Sequence, residues 1–305
     1  MDKYEEMKTF VQIVDAGGIS HAANTLDIAK SAVSRRLKEL ESRLRVQLFN
    51  RSTRKFSLTD TGTSYYEQCL RLLNDLEEVE SLVTSENAKP TGKLRIAAPL
   101  SFGISHLGDV VKTFINNYPD IKIELHLDDR RINIIEEHYD IALRIGVLED
   151  SQLIARKLFT LNLIPVASMN FLNTHGVPET AQDLESLEMV GYMLGDDYLQ
   201  YTDSAGQVGN IKPKIMHSCS NGDFIAELIA NDIGYSILPS FIAYKYIENQ
   251  SMVPLLPGYS WGNENAYAVY PANRHLSGRV RAFIDHLVTS FENTPYWDEC
   301  VKHLR

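Results

Sequence analysis

The first stretch whose pattern of apolar and polar positions defines an element is Lys30–Ser42, KSAVSRRLKELES. Apolar residues recur at steps of four, three and four, which places them on one buried stripe of a helix: Val33, Leu37, Leu40 and Leu44. Polar residues at i, i+3, i+4 and i+7 share another face, which carries hydroxyls and positive charges but no carboxylate: Ser31, Ser34, Arg35 and Lys38. The pattern therefore predicts a helix with a solvent face suited to a polyanion.

A second short helix is predicted just before this one. Residues Ser20–Leu26, SHAANTL, are rich in alanine and follow two glycines, so we expect Ser20 to cap the helix. Asp27, Ile28 and Ala29 remain as the turn between the two helices. Two short helices joined in this way form a helix-turn-helix. A further helix, Met1–Ala16, is expected to pack behind them through its apolar face.

A basic hairpin follows the two helices. Leu48–Asn50 and Phe56–Leu58 can pair, with the run Arg51–Lys55 at the tip, which is the arrangement of a wing that touches phosphates or a minor groove. From Ser20 to Phe56 nine Lys and Arg stand against three acidic residues, a local charge of +6 in a chain of −10. Positive charge is thus concentrated on one surface. The alternative, an ordinary solvated helix face, is disfavoured because helix, turn and hairpin occur in register.

Taken in order, three fragments resemble the N-terminal domain of the LysR-type transcriptional regulators: AAxxL at Ala22, SAVSRRLKELE at Ser31 and LFNRSTRKFSLTDTG at Leu48. Arg45 departs from the pattern, because the family usually has a glycine there, and we expect a small change in wing placement. The resemblance implies binding to double-stranded DNA at an inverted repeat, through contacts to base edges, phosphates or the minor groove from Lys30, Ser31, Ala32, Ser34, Arg35, Lys38, Arg51, Arg54 and Lys55.

A long helix, Thr59 to about Glu86, comes after the wing. Within it apolar residues step by four and three as in a heptad seam: Tyr65, Cys69, Leu72, Leu76, Val79 and Val83. We expect this seam to pair with the same helix of a second subunit, which the resemblance also implies; packing on its own domain is the alternative. Cys69 is expected to be a small apolar member of the seam.

Beyond a hinge at Asn87–Gly92 the pattern changes to alternating strands and helices, which predicts an α/β sheet. The expected strands are 94–98, 121–127, 141–145, 161–167, 189–192, 214–218, 235–238 and 266–270. The expected helices are 102–118, 133–137, 181–187, 222–231 and 278–291.

Four further fragments carry a looser resemblance to the effector-binding domain of the same family, a two-lobed α/β domain akin to periplasmic solute-binding proteins: DIALRIG, LIARKL, NDIGYSILP and AVYPANRHLSGRVRAFIDHL. The predicted organisation is a winged helix-turn-helix domain at 1–58, a linker helix at 59–87, a hinge at 88–92 and an effector-binding domain at 93–305. Lobe I is about 93–164 and 266–305, and lobe II about 165–265.

Ligands of open α/β sheets bind outside the carboxyl ends of strands, where helix N-termini offer free N–H groups. Ser101 and Asn221 would contact a small carboxylate or similar anion, and Phe102 would be an apolar wall. Taken singly, each position also fits a turn or a helix cap. The rule selects Leu100, Ser101, Phe102, Asp128, Ile145, Gly146, Ala167, Ser168, Ser220 and Asn221.

Other functional classes are disfavoured by what the sequence lacks. Three scattered cysteines without a CxxC argue against a disulfide framework or a zinc site, and the common enzyme motifs are absent. We expect no cofactor, no metal and no enzyme activity. A redox role for Cys219 beside the cleft is a minor alternative, because no second cysteine is close in sequence. No apolar run is long enough to span a membrane and the N-terminus is too polar for a signal peptide, so a cytoplasmic protein is expected.

The sequence thus predicts a sequence-specific DNA-binding transcriptional regulator that responds to an unidentified small-molecule effector and forms a homodimer or homotetramer. RNA polymerase is a further candidate partner, and no membrane partner is expected. The main competing hypothesis is a small-molecule-binding protein whose N-terminal helices serve only dimerisation.

Overall fold

The computed structural model describes residues 2–50, 57–84, 89–130, 132–148, 153–193, 195, 197–272, 276–293 and 295–299. The side chains at 71, 74, 75 and 77–84 are outside this description. The chain divides into two compact units, Met1–Pro90 and Thr91–Arg305. The α/β fold class with an N-terminal helix-turn-helix is confirmed, whereas the domain and lobe boundaries given above stay predictions.

The first unit is built from four helices: α1 (Lys3–Asp15), α2 (Ile19–Thr25), α3 (Lys30–Leu44) and α4 (Asp60–Thr84). The predicted stripe of α3 is buried around Phe10 of α1, since Val33, Leu37 and Leu40 are at most 9% exposed. The prediction that Ser20 caps α2 is wrong. The helix begins at Ile19, and Gly18 is its N-cap residue. Gly17, with φ +68°, makes the turn after α1, and α2 begins directly after Gly18.

Arg45 ends α3 in the left-handed conformation, with φ 57° and ψ 33°. The turn therefore uses the backbone region that suits glycine although an arginine occupies it. The following chain is held by Glu41, whose carboxylate accepts a hydrogen bond from the Leu48 N–H at 2.8 Å. Gly62 in the first turn of α4 lies against this segment, because a Cβ there would come within 2.0 Å of the Leu48 carbonyl oxygen.

The heptad seam of α4 is divided between two environments. Cys69 is fully buried in the core of its own unit and Tyr65 packs on the Phe10 ring at 5.4 Å, which is the alternative that the sequence left open. Burial raises the pKa of the Cys69 thiol to about 11, so this cysteine is an inert core residue. Leu72 and Leu76 are 56% and 39% exposed and remain available to a partner. The side chains of Val79 and Val83 lie outside the described residues.

The second unit is organised around one mixed sheet in the order β2-β1-β3-β11-β4-β9-β5-β8. Its strands are β1 (Gly92–Ala98), β2 (Ile121–Leu127), β3 (Ile141–Ile145), β4 (Leu153–Ala167), β5 (Glu188–Tyr192), β8 (Lys214–Cys219), β9 (Tyr235–Pro239) and β11 (Asn263–Pro271). A short strand β10 (Val253–Pro254) pairs with β4, and β6 (Leu199–Thr202) and β7 (Val208–Ile211) form a separate hairpin.

Strand β4 joins the two lobes. Its first part pairs with β11, from Leu153 to Asn162, and its second part pairs with β9, from Leu163 to Ala167. Lobe I therefore contains β1, β2, β3 and β11, and lobe II contains β5, β8 and β9, with a common apolar core beneath both. Strand β4 runs antiparallel to both of its main partners.

The helices of this unit are α5 (Leu100–His106), α6 (Gly108–Asn117), α7 (Met169–His175), α8 (Gly222–Ala230), α9 (Ser240–Glu248) and α10 (Gly278–Ser290). The single helix predicted for 102–118 is wrong, because the chain bends at Leu107 between α5 and α6. The helix predicted for 133–137 is a turn instead, where the Asn133 side chain accepts from the Ile135 N–H at 3.2 Å. A 3-10 helix, Ala181–Ser186, replaces the α-helix predicted for 181–187. The elements α7, α9, β6, β7 and β10, and the first part of β4 before Leu161, were not predicted.

His106, at the end of α5, is buried in an aromatic cluster of lobe I. Its imidazole lies 4.3 Å from the Trp297 ring centroid and 5.4 Å from that of Phe102. Burial lowers the pKa of His106 to about 4, although the Phe241 carbonyl and Asp223 oppose the shift and Lys245 adds to it. The imidazole is therefore neutral at physiological pH.

This pKa predicts how stability depends on pH. Between pH 6.5 and about 4 the unfolded chain binds a proton at His106 that the folded chain does not, so stability falls as pH falls, by up to about 3 kcal/mol. Both tryptophans lie in the second unit and report its unfolding by urea. The His106→Gln variant should lose this part of the pH dependence, and His126→Gln, at an exposed site, should keep it. An unchanged pH dependence in His106→Gln would contradict the assignment.

Candidate DNA-binding surface and ligand cleft

The recognition helix α3 is fixed to α1 by two arginine–carboxylate contacts. The Arg36 guanidinium donates to Glu5 at 3.0 Å and to the Thr9 hydroxyl at 3.1 Å. Arg43 donates through Nε to Glu6 at 2.8 Å, and Glu6 is only 4% exposed. Both arginines belong to the basic count made from the sequence, but their charges are matched inside the unit. The positive charge on the solvent face of α3 must therefore come from its other lysine and arginine side chains.

The remaining polar residues of α3 face solvent. Arg35 has 71% of its side chain exposed and approaches Glu39 only at 3.8 Å, a pair that contributes little. Ala32 is partly exposed and lies between the hydroxyl-bearing positions. The described face thus combines long cations with short hydroxyls, which suits contacts to phosphates and to base edges. Its exposed members are Lys30, Ser31, Ser34, Arg35 and Lys38.

Only the base of the predicted wing is described. Phe49 and Leu58 form an antiparallel bridge, and the Asn50 side chain donates to the Ser57 hydroxyl at 3.0 Å and to the Leu58 carbonyl at 2.8 Å. The hairpin predicted between 48–50 and 56–58 accordingly begins where expected. The predicted DNA contacts at the tip, Arg51, Arg54 and Lys55, lie outside the described residues.

In the second unit the carboxyl ends of strands from both lobes meet. The Asn221 amide, after β8 of lobe II, donates to the Ser101 hydroxyl after β1 of lobe I at 3.2 Å. It also donates to the Asp129 carboxylate after β2 at 2.7 Å. Two of the residues selected from the sequence, Ser101 and Asn221, are therefore brought together. We call this place the ligand cleft, because the sequence argument placed a ligand there.

Asp129 accepts hydrogen bonds from two groups in this ligand cleft. Its Oδ1 accepts from the Leu100 N–H at 2.9 Å, at the start of α5, while Oδ2 accepts from Asn221. The Asn221 carbonyl oxygen is used locally, since it accepts from the Phe224 N–H at 3.0 Å and caps α8. The N–H at the start of α5 and the Asn221 amide, which the sequence argument offered to an anion, are thus already bonded to a carboxylate of the chain itself.

Asp129, and not the predicted Asp128, faces the cleft. The Asp128 carboxylate accepts from Arg130, from the backbone N–H at 2.9 Å and from Nε at 2.7 Å. Hydrogen bonds from the Arg130 backbone and guanidinium lower the pKa of Asp128, so it stays ionised in this local turn. Adjacent residues after a strand point in different directions, and the sequence alone did not show which carboxylate turned inward.

Three other predicted cleft positions lie elsewhere. Phe102 is 1% exposed and stacks in the lobe I core on Phe159, at 5.4 Å between ring centroids, so it is no cleft wall. Ala167 and Ser168 lie at the opposite end of lobe II, because Ala167 pairs with Tyr235 at the beginning of β9. The Ser168 hydroxyl caps α7 and donates to Asp232 there. The antiparallel direction of β4 explains this error.

The other predicted positions keep their place at the carboxyl ends of strands. Ile145 ends β3, and Gly146 follows it with φ +101° and donates its N–H to the Asn265 carbonyl oxygen at 3.0 Å. A Cβ on Gly146 would lie 3.8 Å from the Glu264 carboxylate, so Glu264 also borders this edge. Leu100 begins α5, and Ser220 precedes the cap of α8.

Tyr192, at the carboxyl end of β5, is a cleft residue that the sequence argument missed. A Cβ on Gly222 would come within 2.2 Å of its hydroxyl, which shows how closely the phenol approaches the start of α8. Burial, with the charges of Glu264, Asp129 and Asp223 nearby, raises the pKa of Tyr192, so the phenol stays protonated. The strand-end rule applied to β5 would have selected it.

The Asp129 contacts yield a prediction with a matched control. In Asp129→Ala the Leu100 N–H loses its acceptor, and its hydrogen exchange should become about ten- to a hundredfold faster, the effect of losing one hydrogen bond to a charged group. Asp128→Ala, one residue earlier, should leave the exchange of Leu100 unchanged. Equal exchange rates in the two variants would mean that Asp129 does not hold the start of α5.

Two features are absent from the described part of the chain. None of its helices is both long and apolar enough to cross a membrane. Among the same residues, no three or more His, Cys, Asp and Glu side chains are grouped so that they would hold a metal ion.

Comparison with known proteins agrees with both halves of this geometry. Residues 4–63 match the family model described as bacterial regulatory helix-turn-helix protein, lysR family, and residues 87–292 match the LysR substrate binding domain. The regulator CrgA of Neisseria meningitidis is 33% identical over 292 residues, which cover 95% of this chain and 97% of that protein.

Solved structures give the same result. A structure of CrgA, a LysR-type transcriptional regulator, is 32% identical, with a TM-score of 0.59, and covers 96% of this chain and 100% of that one. The full-length structure of the Vibrio cholerae virulence activator AphB is 27% identical, with a TM-score of 0.59 and coverages of 95% and 100%.

Proposed function

Since this chain belongs to the LysR family of bacterial transcriptional regulators, we propose that the exposed face of α3 contacts its operator and that the cleft between the lobes receives its effector. The family membership makes the protein a DNA-binding transcriptional regulator with an effector-binding domain, and not an enzyme. It also removes the competing hypothesis in which the N-terminal helices serve only dimerisation, because the helix-turn-helix itself matches the family.

The observation that carries the DNA-binding proposal is the separation of the arginines of α3. Arg36 and Arg43 are held by carboxylates of α1, which fixes the helix, whereas Arg35 and Lys38 project into solvent. A helix held rigidly on one side and cationic on the other can enter a major groove without losing its packing. Base edges or phosphates would be contacted by Lys30, Ser31, Ala32, Ser34, Arg35 and Lys38, with Arg51, Arg54 and Lys55 of the wing on the backbone or minor groove.

The operator would be an inverted repeat. Family members form oligomers, and the exposed Leu72 and Leu76 of α4 offer an apolar stripe for the same helix of a second subunit. Pairing of two such helices presents two recognition helices with two-fold symmetry, which matches two half-sites. We extend the proposal to a homotetramer on the family resemblance, and RNA polymerase is the proposed downstream partner.

The effector proposal rests on Asp129. A small carboxylate or similar anion entering the cleft would compete with Asp129 for the Leu100 N–H and the Asn221 amide. Exchange of one for the other would replace a contact between the lobes by a contact to the ligand, which shifts the population of lobe arrangements. The proposed contacts are Leu100, Ser101, Ile145, Gly146, Ser220 and Asn221 from the sequence argument, with Asp129 and Tyr192 added from the geometry.

Arg35 and Arg36 test the DNA-binding surface as a matched pair. A duplex selected by the wild-type protein from a random library serves as the probe in fluorescence anisotropy. Arg35→Ala should weaken binding by about 1–3 kcal/mol if the guanidinium makes a bidentate base contact. Arg36→Ala removes the same charge from the neighbouring position and should leave the affinity almost unchanged once folding is verified.

Two outcomes would overturn this assignment. One is an unchanged affinity in Arg35→Ala, and the other is an equal loss in both variants, which would indicate a nonspecific effect of net charge rather than readout by the exposed face of α3.

A further inference from the structure

A second cavity lies on lobe I, apart from the ligand cleft. It measures about 470 Å³ and opens to solvent where α5 ends and α6 begins, opposite the segment that follows α10. This volume falls within the range of small-molecule sites. Its walls are mixed: Ile104, Val110 and Tyr296 are apolar or aromatic, Ser105, Asp109 and Asn293 are polar, and Trp297 is only 1% exposed.

The aromatic wall of this lobe I cavity is held in place by His106. The Phe241 carbonyl can only accept, so His106 donates through Nε2–H to it at 3.0 Å. The Nδ1 atom of the neutral ring then accepts from the Tyr296 hydroxyl at 2.6 Å. Tyr296 is 56% exposed, yet its hydroxyl is fixed and its ring packs on Trp297 at 5.1 Å between centroids. The wall is thus preorganised before any ligand enters.

The described lining of the lobe I cavity carries one carboxylate. Asp109, in the first turn of α6, is exposed at its rim. Burial and the Tyr244 contact, with Asp109 and Glu248 nearby, raise the pKa of Tyr296, so the phenol carries no charge itself. Among the described residues that line the cavity there is neither lysine nor arginine. Aromatic faces beside a carboxylate attract a cation that also carries an apolar body.

We propose that the lobe I cavity is a second ligand site, which takes a small aromatic molecule bearing a protonated amine. The ring lies against Tyr296, which packs on the buried Trp297, and the ammonium group lies toward Asp109. This ligand class differs from the anion proposed for the ligand cleft. The two sites share α5, which carries Ser101 at the cleft and His106 at the cavity, so each ligand contacts an end of the same short helix.

The test uses the full chain and 2-phenylethylammonium chloride as the probe. The protein contains two tryptophans, and Trp261 lies in the core of lobe II. In the Trp261→Phe variant the remaining fluorescence comes from Trp297, and the probe should change it saturably. Calorimetric titration of the wild-type protein gives the same dissociation constant without any substitution. Phenylacetate, which has a similar ring and the opposite charge, should not bind at the same ionic strength.

Gly108 provides a variant that fills the lobe I cavity. It lines the cavity, its φ is not positive, and a Cβ there meets no atom within 4 Å, so Gly108→Leu should fold and abolish binding. Asn116→Leu, at an exposed position of α6 outside the cavity, is the matched control and should bind normally. Asp109→Asn should weaken binding by about two- to fivefold, as expected for an exposed charge pair.

Three results would overturn the proposal. Binding retained in Gly108→Leu would place the probe elsewhere, as would a response of Trp261 in the Trp297→Phe variant. Equal binding of phenylacetate would contradict the charge selectivity, and absence of binding to the wild-type protein would leave no second site of this class.

Discussion

The architecture of the second unit depends on the single strand β4, which pairs with β11 in its first part and with β9 in its second. This one strand therefore belongs to both lobes, and its partner changes between Asn162 and Leu163. The parallel strands on either side end at the same edge, and there Asn221 reaches Ser101 and Asp129. Topology thus brings strand ends of both lobes to one edge, while the two lobes also share an apolar core.

In the first unit, the arginines of α3 serve two different purposes. The recognition helix needs arginines of two kinds, some that hold it on its support and some that remain outside. Burial of Glu6 makes the contact with Arg43 structurally costly to break, because the carboxylate would be left without a partner. Arg35 does not hold α3 on α1, and its side chain is 71% exposed to solvent. A count of basic residues therefore overstates the positive charge that faces DNA, because the carboxylates of α1 neutralise Arg36 and Arg43.

The sequence predicted those features that follow from local periodicity. The buried stripe of α3, the alternation of strands and helices, and the juxtaposition of Ser101 with Asn221 all appear in the structure. The errors concern the direction of strands and the burial of side chains. Ala167 and Ser168 follow a strand, as the rule requires, but the antiparallel course of β4 carries them to the far end of lobe II. Phe102 begins a helix at the cleft but turns into the core, and only tertiary packing decides which of Asp128 and Asp129 faces inward.

The most direct test of the central claim is a pull-down of genomic DNA fragments by the purified protein, beside its Arg35→Ala/Arg54→Ala variant. The account predicts that a few sites containing an inverted repeat are enriched by the wild-type protein and lost with the variant. Enrichment of no site, at a salt concentration low enough to permit nonspecific binding, would contradict it.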